Sequence, residues 1–363
     1  MTLALTSLTL SHFRSHKVAR ISVDARPVAI HGPNGAGKTN VLEALSLFSP
    51  GRGLRRSSAE DMTRRPEALG WKLSGLLQTS HQMHEVDIWS ENGAARQVKI
   101  DGKAASQTAL AEFVRVLWLI PSMDRLWIEG ADGRRRFLDR MTLSFFPSHA
   151  QASLDYERAM RERNRLLKDQ IRDPAWYGAL ERQMAEAGAQ LHENRVNALS
   201  KLQIAQQGAE TAFPSADLVL THPDIPFPEN LRDALADSRS RDLAVGRTLV
   251  GPHRADLEGT YVAKGVPAKD CSTGEQKALL VSLILANTRA LAAETGTPPL
   301  LLLDEVAAHL DQDRRAALYD EICALGAQAW MTGTEPGLFD ALGDRAQYLH
   351  VTDAKGESEV TGP

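Results

Sequence analysis

The segment Gly32-Pro33-Asn34-Gly35-Ala36-Gly37-Lys38-Thr39 constrains this chain more than any other. It has the form GxxxxGK[ST]. It lies between an apolar run at 27–30 and the helically spaced Val41, Leu42, Leu45 and Phe48. A strand, a glycine-rich loop and a helix in that order make a P-loop. Small residues let successive N–H groups converge on phosphate oxygens, and the following helix adds its positive end. The pattern assigns 32–39 to ATP, with Lys38 reaching the β- and γ-phosphates and the Thr39 hydroxyl on Mg²⁺.

Composition suits such a core. The chain has 363 residues, 43% hydrophobic and 24% charged, about two domains' worth and unlike a disordered or fibrous protein. Apolar runs at 278–286 and 300–303 are shorter than the ~18 residues of a membrane span, and no secretory signal pattern opens the sequence. Two cysteines, Cys271 and Cys323, without a CxxC pair, predict neither a disulfide framework nor a cysteine zinc site, and suit a reducing cytosol. The net charge of −4 excludes a basic coat, so nucleic acid would need a local patch.

Along the chain, strands are expected near 8–11, 18–23, 27–30 and 114–120. Three more fall between 71 and 100, two of them joined at Asn92-Gly93. Residues 147–208 read as two long helices broken at Asp173-Pro174, a hairpin arm. Beyond it, strands at 217–220, 248–250, 300–303, 328–331 and 347–351 alternate with helices at 230–236, 272–293 and 313–325. This predicts an α/β core with a largely parallel sheet. The tail after Asp353 reads as frayed.

The run Leu300-Leu301-Leu302-Leu303-Asp304-Glu305 supplies a buried strand ending in acids: Asp304 for Mg²⁺ and Glu305 to polarise the attacking water. Between it and the P-loop, Cys271-Ser272-Thr273-Gly274-Glu275-Gln276 opens a helix. Such a run is first of all an N-cap, but it also resembles the LSGGQ signature of ABC-type ATPases. That resemblance implies that Ser272, Thr273, Gly274 and Gln276 contact ATP held by a second copy. Ala308-His309-Leu310-Asp311 resembles the D-loop of the same family, and Thr332 or Thr334 stands where many members carry a switch histidine. The expected fold is therefore an ABC-type P-loop ATPase head with an antiparallel β subdomain, formed by 1–145 and 247–363, and an inserted helical-hairpin lobe at 146–246.

Transporter ATPase domains place the signature much closer to the P-loop, and SMC-type proteins carry a far longer arm than the ~35–50 Å per helix available here. What remains resembles the RecF family over nearly the whole chain. Leu8 to His16, with Phe13-Arg14, matches the family opening. Asn40-Val41-Leu42-Glu43-Ala44 and Ser49-Pro50-Gly51-Arg52-Gly53 extend the P-loop in its manner. Residues 121–139 match one signature, departing at Ser122 and Asp132, and 302–318 match another. Residues 246–254 are also similar. The resemblance implies a cytoplasmic, ATP- and Mg²⁺-dependent DNA-binding protein that dimerises with ATP at single-strand gaps. It further implies work with RecR and RecO in loading RecA, a link to the SOS response, and slow hydrolysis. It adds Asn40 and Arg14 to the nucleotide site.

Three basic clusters are candidate DNA contacts: Arg52, Arg55, Arg56, Arg64 and Arg65; then 134–140; then 158–168. Charge runs on helices are more often solvated faces. An ATPase that switches protein assembly or transport without DNA is the alternative. A composite site predicts that Lys38→Ala abolishes nucleotide binding, whereas Ser272→Arg binds ATP yet fails to dimerise with it; light scattering with ATP reads the difference.

Overall fold

The computed structural model describes residues 3–362 except Pro66, Asn92, 223–225 and Lys355; for His309 only the backbone is described. Two compact units result: Met1–Asp124 with Ala205–Ser215 and Ser272–Pro363, and Arg125–Ile204 with Ala216–Cys271.

The first unit opens with β1 (Ala4–Phe13), β2 (His16–Ser22), β3 (Val28–His31) and α1 (Lys38–Ser46), followed by β4 (Trp71–Gln78), β5 (Met83–Ser90), β6 (Gln97–Ile100), β7 (Lys103–Ala105) and β8 (Val116–Leu119). The second unit holds α2 (Ala131–Phe145), α3 (His149–Lys168), nearly all of α4 (Pro174–Gln206), β9 (Ala216–Thr221), α5 (Leu231–Asp237), α6 (Arg239–Val245), β10 (Asp256–Tyr261) and β11 (Val266–Pro267). The chain returns to the first unit with α7 (Thr273–Thr295), β12 (Leu300–Leu303), α8 (Gln312–Ala324), β13 (Ala329–Gly333), β14 (Gln347–Ala354) and β15 (Glu357–Thr361).

Two sheets build the first unit. One is antiparallel, in the order β2-β1-β4-β5-β6-β7. The other runs β15-β14-β3-β13-β12-β8, with β15 its one antiparallel strand. Every residue of β12 is buried, as an inner parallel strand requires. The apolar face of α1 (Val41, Leu42, Leu45) joins one core with Leu8, Leu10 and Leu73 of the first sheet and Leu300, Leu302 and Trp330 of the second. Buried Gln328 ties the sheets' backbones, accepting from Leu5 N (2.9 Å) and donating to Leu5 O (3.1 Å) and Asp24 O (2.7 Å). Helix α7 is long and apolar enough to cross a membrane by length and composition, with 67% of its most apolar window buried inside the protein.

The alternating α/β core and both long helices occur where the sequence predicts them. Several expectations are corrected. Residues 248–250 form no strand; Thr248 is instead held by Asn164 and Arg163. The strand at 217–220 lies in a separate sheet, β11-β10-β9, and not in the parallel one. The tail is not frayed, because β15 pairs with β14. Residues 131–145 form a helix that was not expected. The second unit accordingly begins at Arg125, takes in 216–271 and exceeds the expected lobe at 146–246. The expected hairpin does join β5 to β6, though Asn92 lies outside the described residues.

Arg163 of the predicted basic arm cluster is fully buried. It donates to Asp242 (2.7 Å), Thr248 (2.9 Å), Leu235 O (2.9 Å) and Glu181 (3.2 Å). Arg239 grips the same Glu181 at 2.6 Å. A buried arginine is tolerated only when its donors and its counter-charges are both matched. Arg163→Met should therefore destabilise the protein by about 3–5 kcal/mol by leaving carboxylates unpaired. Exposed Arg161→Met on the same helix should stay within about 0.5 kcal/mol; urea unfolding measures both.

Candidate nucleotide-binding site

The P-loop leaves β3 and enters α1 through glycines whose backbones demand glycine. Gly32 has φ +149°, and a Cβ there would lie 2.0 Å from Val351 O; Gly37 has φ +106°, and a Cβ would lie 2.3 Å from Ser358 Oγ. Close backbone approach, with φ in the left-handed half of the map, is what L side chains forbid. Lys38 folds back over the loop, donating to Gly32 O (2.7 Å) and Pro33 O (2.8 Å). Burial lowers its pKa below the usual lysine value, opposed by the nearby Glu305 and Asp304 carboxylates.

Asp304, at the end of β12, is buried. Its Oδ1 accepts from the Thr39 hydroxyl (2.9 Å) and the Thr332 hydroxyl (2.7 Å). Glu305 follows at φ +51°, unfavourable for a residue with a Cβ. Its N–H donates to Thr332 Oγ1 (2.9 Å), which holds that conformation. Thr39 and Asp304 thus bring a hydroxyl and a carboxylate oxygen together, the hard donors a Mg²⁺ takes. With the glycine cradle and Lys38, the residues fit a Mg-nucleotide. Of the two threonines left open, Thr332 is buried with its hydroxyl between the Asp304 carboxylate and the Glu305 N–H, and Thr334 is exposed.

The model of the RecF/RecN/SMC N-terminal domain matches residues 4–355. A curated relative, "DNA replication and repair protein RecF" of Rhizobium etli, is 46% identical over 366 residues, 97% of this chain and 98% of its own. The chain belongs to the RecF family. In fold it is similar to a solved structure of the recombination mediator protein RecF with ATP in the RecFOR pathway, with 24% identity, TM-score 0.83 and coverage of 100% and 99%. An Smc head domain from Pyrococcus furiosus gives 15% identity, TM-score 0.58 and coverage of 100% and 96%.

The remaining expected site positions divide sharply. Arg14 clamps Glu43 of α1 with two nitrogens (2.8 and 2.6 Å) and also bonds Ser57 Oγ and Asp61 O. Arg55 reaches Glu43 (3.0 Å) and Asn40 Oδ1 (2.8 Å). Glu43, unpredicted, is 1% exposed and takes both arginines; an acid inside the apolar stripe Val41-Leu42-Glu43-Ala44-Leu45 was the available signal. Ser272 caps α7 in a full capping box with Glu275, so the plain N-cap reading holds in this structure. Ser272, Thr273 and Gly274 are exposed, and Gln276 is buried. Asp311 caps α8 through Arg314 N (2.8 Å). The side chain of His309 lies outside the described residues.

Of the first basic cluster, Arg52, Arg55, Arg56 and Arg65 are exposed. Arg64 is not the surface contact expected. It is 8% exposed and donates to Ser15 O (2.7 Å) and Gly356 O (3.2 Å), because those carbonyls need a buried donor. In the second cluster, Arg134 pairs bidentately with Asp256 and Arg135 donates to Ala255 O.

Thr332→Val should lower ATP turnover at least about 10-fold, by stripping a donor from Asp304 and an acceptor from the Glu305 N–H. Thr332→Ser should restore it and Thr334→Val should have the smaller effect, in a phosphate-release assay.

Proposed function

We propose that this chain is an ATP-switched DNA-binding protein of recombinational repair and replication restart. The observation that carries the reading is the single constellation of P-loop, Thr39, Asp304, Glu305 and Thr332 in a chain of the RecF family. Gly32 to Thr39 and Asn40 bind the nucleotide. Lys38 exchanges the carbonyls of Gly32 and Pro33 for phosphate oxygens, and Thr39 with Asp304 holds Mg²⁺. Bound Mg-ATP supplies the phosphoryl group and the energy of the switch. Glu305 orients a water and accepts its proton at a carboxylate oxygen, while Thr332 fixes the backbone from which Glu305 projects. Hydrolysis is slow and serves as a timer.

The exposed turn at 272–274 supports a site completed by a second copy. There Ser272 releases Glu275 and turns its hydroxyl, with the first N–H groups of α7, to the partner's γ-phosphate. The family resemblance supports a reading in which Asp311 and His309 work at the same interface and Arg14 near the phosphates. Closing two copies joins Arg52, Arg55, Arg56 and Arg65 of each into one basic surface. DNA affinity then depends on ATP and falls steeply with salt. The favoured DNA is a single-strand gap beside duplex, in the cytoplasm, with RecR and RecO as partners in loading RecA and a consequent link to the SOS response.

The test is a titration of gapped DNA with ATP, ADP or no nucleotide, repeated for Lys38→Ala. Retention on DNA should require ATP and be lost in Lys38→Ala. Equal affinity under all three conditions would overturn the switch. ATP-dependent dimerisation with no DNA retention would favour a role in protein assembly.

A further inference from the structure

The geometry points to the C-terminal strand as a working part of the nucleotide site, with Ser358 a positioning residue for the P-loop; this rests on the nucleotide reading of residues 32–39. Ser358 is 1% exposed. Its hydroxyl donates to Ser15 Oγ at 2.6 Å, and Ser15 Oγ also accepts from Asn40 Nδ2 at 2.7 Å. Asn40 lies in the first turn of α1, two residues after the lysine that meets phosphate. A chain of three side chains therefore runs from β15 through the β1–β2 turn to the start of the P-loop helix.

The same place is locked by backbone contacts. Ser358 N donates to Ser15 O at 3.0 Å, and Arg64 joins Ser15 O to Gly356 O while lying 3.7 Å from Glu357. Gly37 packs so tightly that a Cβ would strike both Ser358 Oγ (2.3 Å) and Ser15 Oγ (2.9 Å). Buried His16 lies with Nε2 3.3 Å from Gly37 O. Burial lowers its pKa, and because a carbonyl oxygen only accepts, the contact needs the hydrogen on Nε2. Phosphate-binding N–H groups are useful only while their directions are fixed before the ligand arrives. Ser358 fixes them from a strand that the sequence reads as a loose tail.

The experiment titrates the full chain with a fluorescent ATP analogue. Ser358→Ala should weaken binding about 3- to 10-fold, the worth of one hydrogen bond, and Ser15→Ala, which also frees Asn40, at least as much. The double variant should be no weaker than the worse single, because both delete one shared bond. KM for ATP should rise with kcat kept within about 2-fold, and the unliganded melting temperature should stay near that of the parent. Ser358→Ala binding as tightly as the parent would overturn the proposal. So would additive losses tracking a fall in unliganded stability, the signature of general loosening. Lys38→Ala is the separate control. Wild-type affinity in that variant sinks the nucleotide reading itself, whereas lost affinity in Lys38→Ala with none lost in Ser358→Ala sinks only the positioning role.

Discussion

Asp304 is the carboxylate on which the first unit's chemistry converges. It receives hydroxyl hydrogens from Thr39 on α1 and Thr332 on β13, and it sits at the end of β12. Three neighbouring segments of the parallel sheet and its helix thus meet at one pair of oxygens. A buried carboxylate without donors would be costly; here both donors also have work elsewhere. Thr39 belongs to the P-loop, and Thr332 also accepts the N–H of Glu305. A shift at any of the three is felt by the other two.

A second buried acid organises the opposite side of α1. Glu43 is satisfied by Arg14 and Arg55, so the P-loop helix is tied to the turn after β1 and to the arginine-bearing segment that follows it. Arg55 also holds Asn40. Of the exposed arginines at 52–65, Arg55 is thereby attached through hydrogen bonds to the helix that carries the phosphate loop.

The second unit obeys the same economy of charge with another purpose. Arg163, Glu181, Asp242 and Arg239 neutralise one another in its interior, and Asp139 is shared by Arg195 and His149. Tyr156 donates to His253 Nδ1 at 2.7 Å. Burial pushes His253 down to about 4, leaving that nitrogen free to accept. These groups order α3, α4 and the 246–254 segment.

The parts written in local chemistry were legible in the chain alone: the glycine loop, the strand ending in Asp304-Glu305, the Ser272 cap and the two long helices. In each, residue type and spacing within one element carry the physics. The arginines were not legible in that way. Arg64 and Arg163 read as surface charge, and both are buried, because their partners lie hundreds or tens of residues away, at Gly356 and Asp242. Nor does anything near Ser358 announce that it touches Gly37. The sequence by itself determined that this chain carries a phosphate loop with an acidic partner strand on an α/β core. Only the tertiary structure decided which charges are structural and which threonine serves the acids. It also decided that the last strand stands behind Gly37, since those choices depend on contacts between segments that the chain order keeps apart.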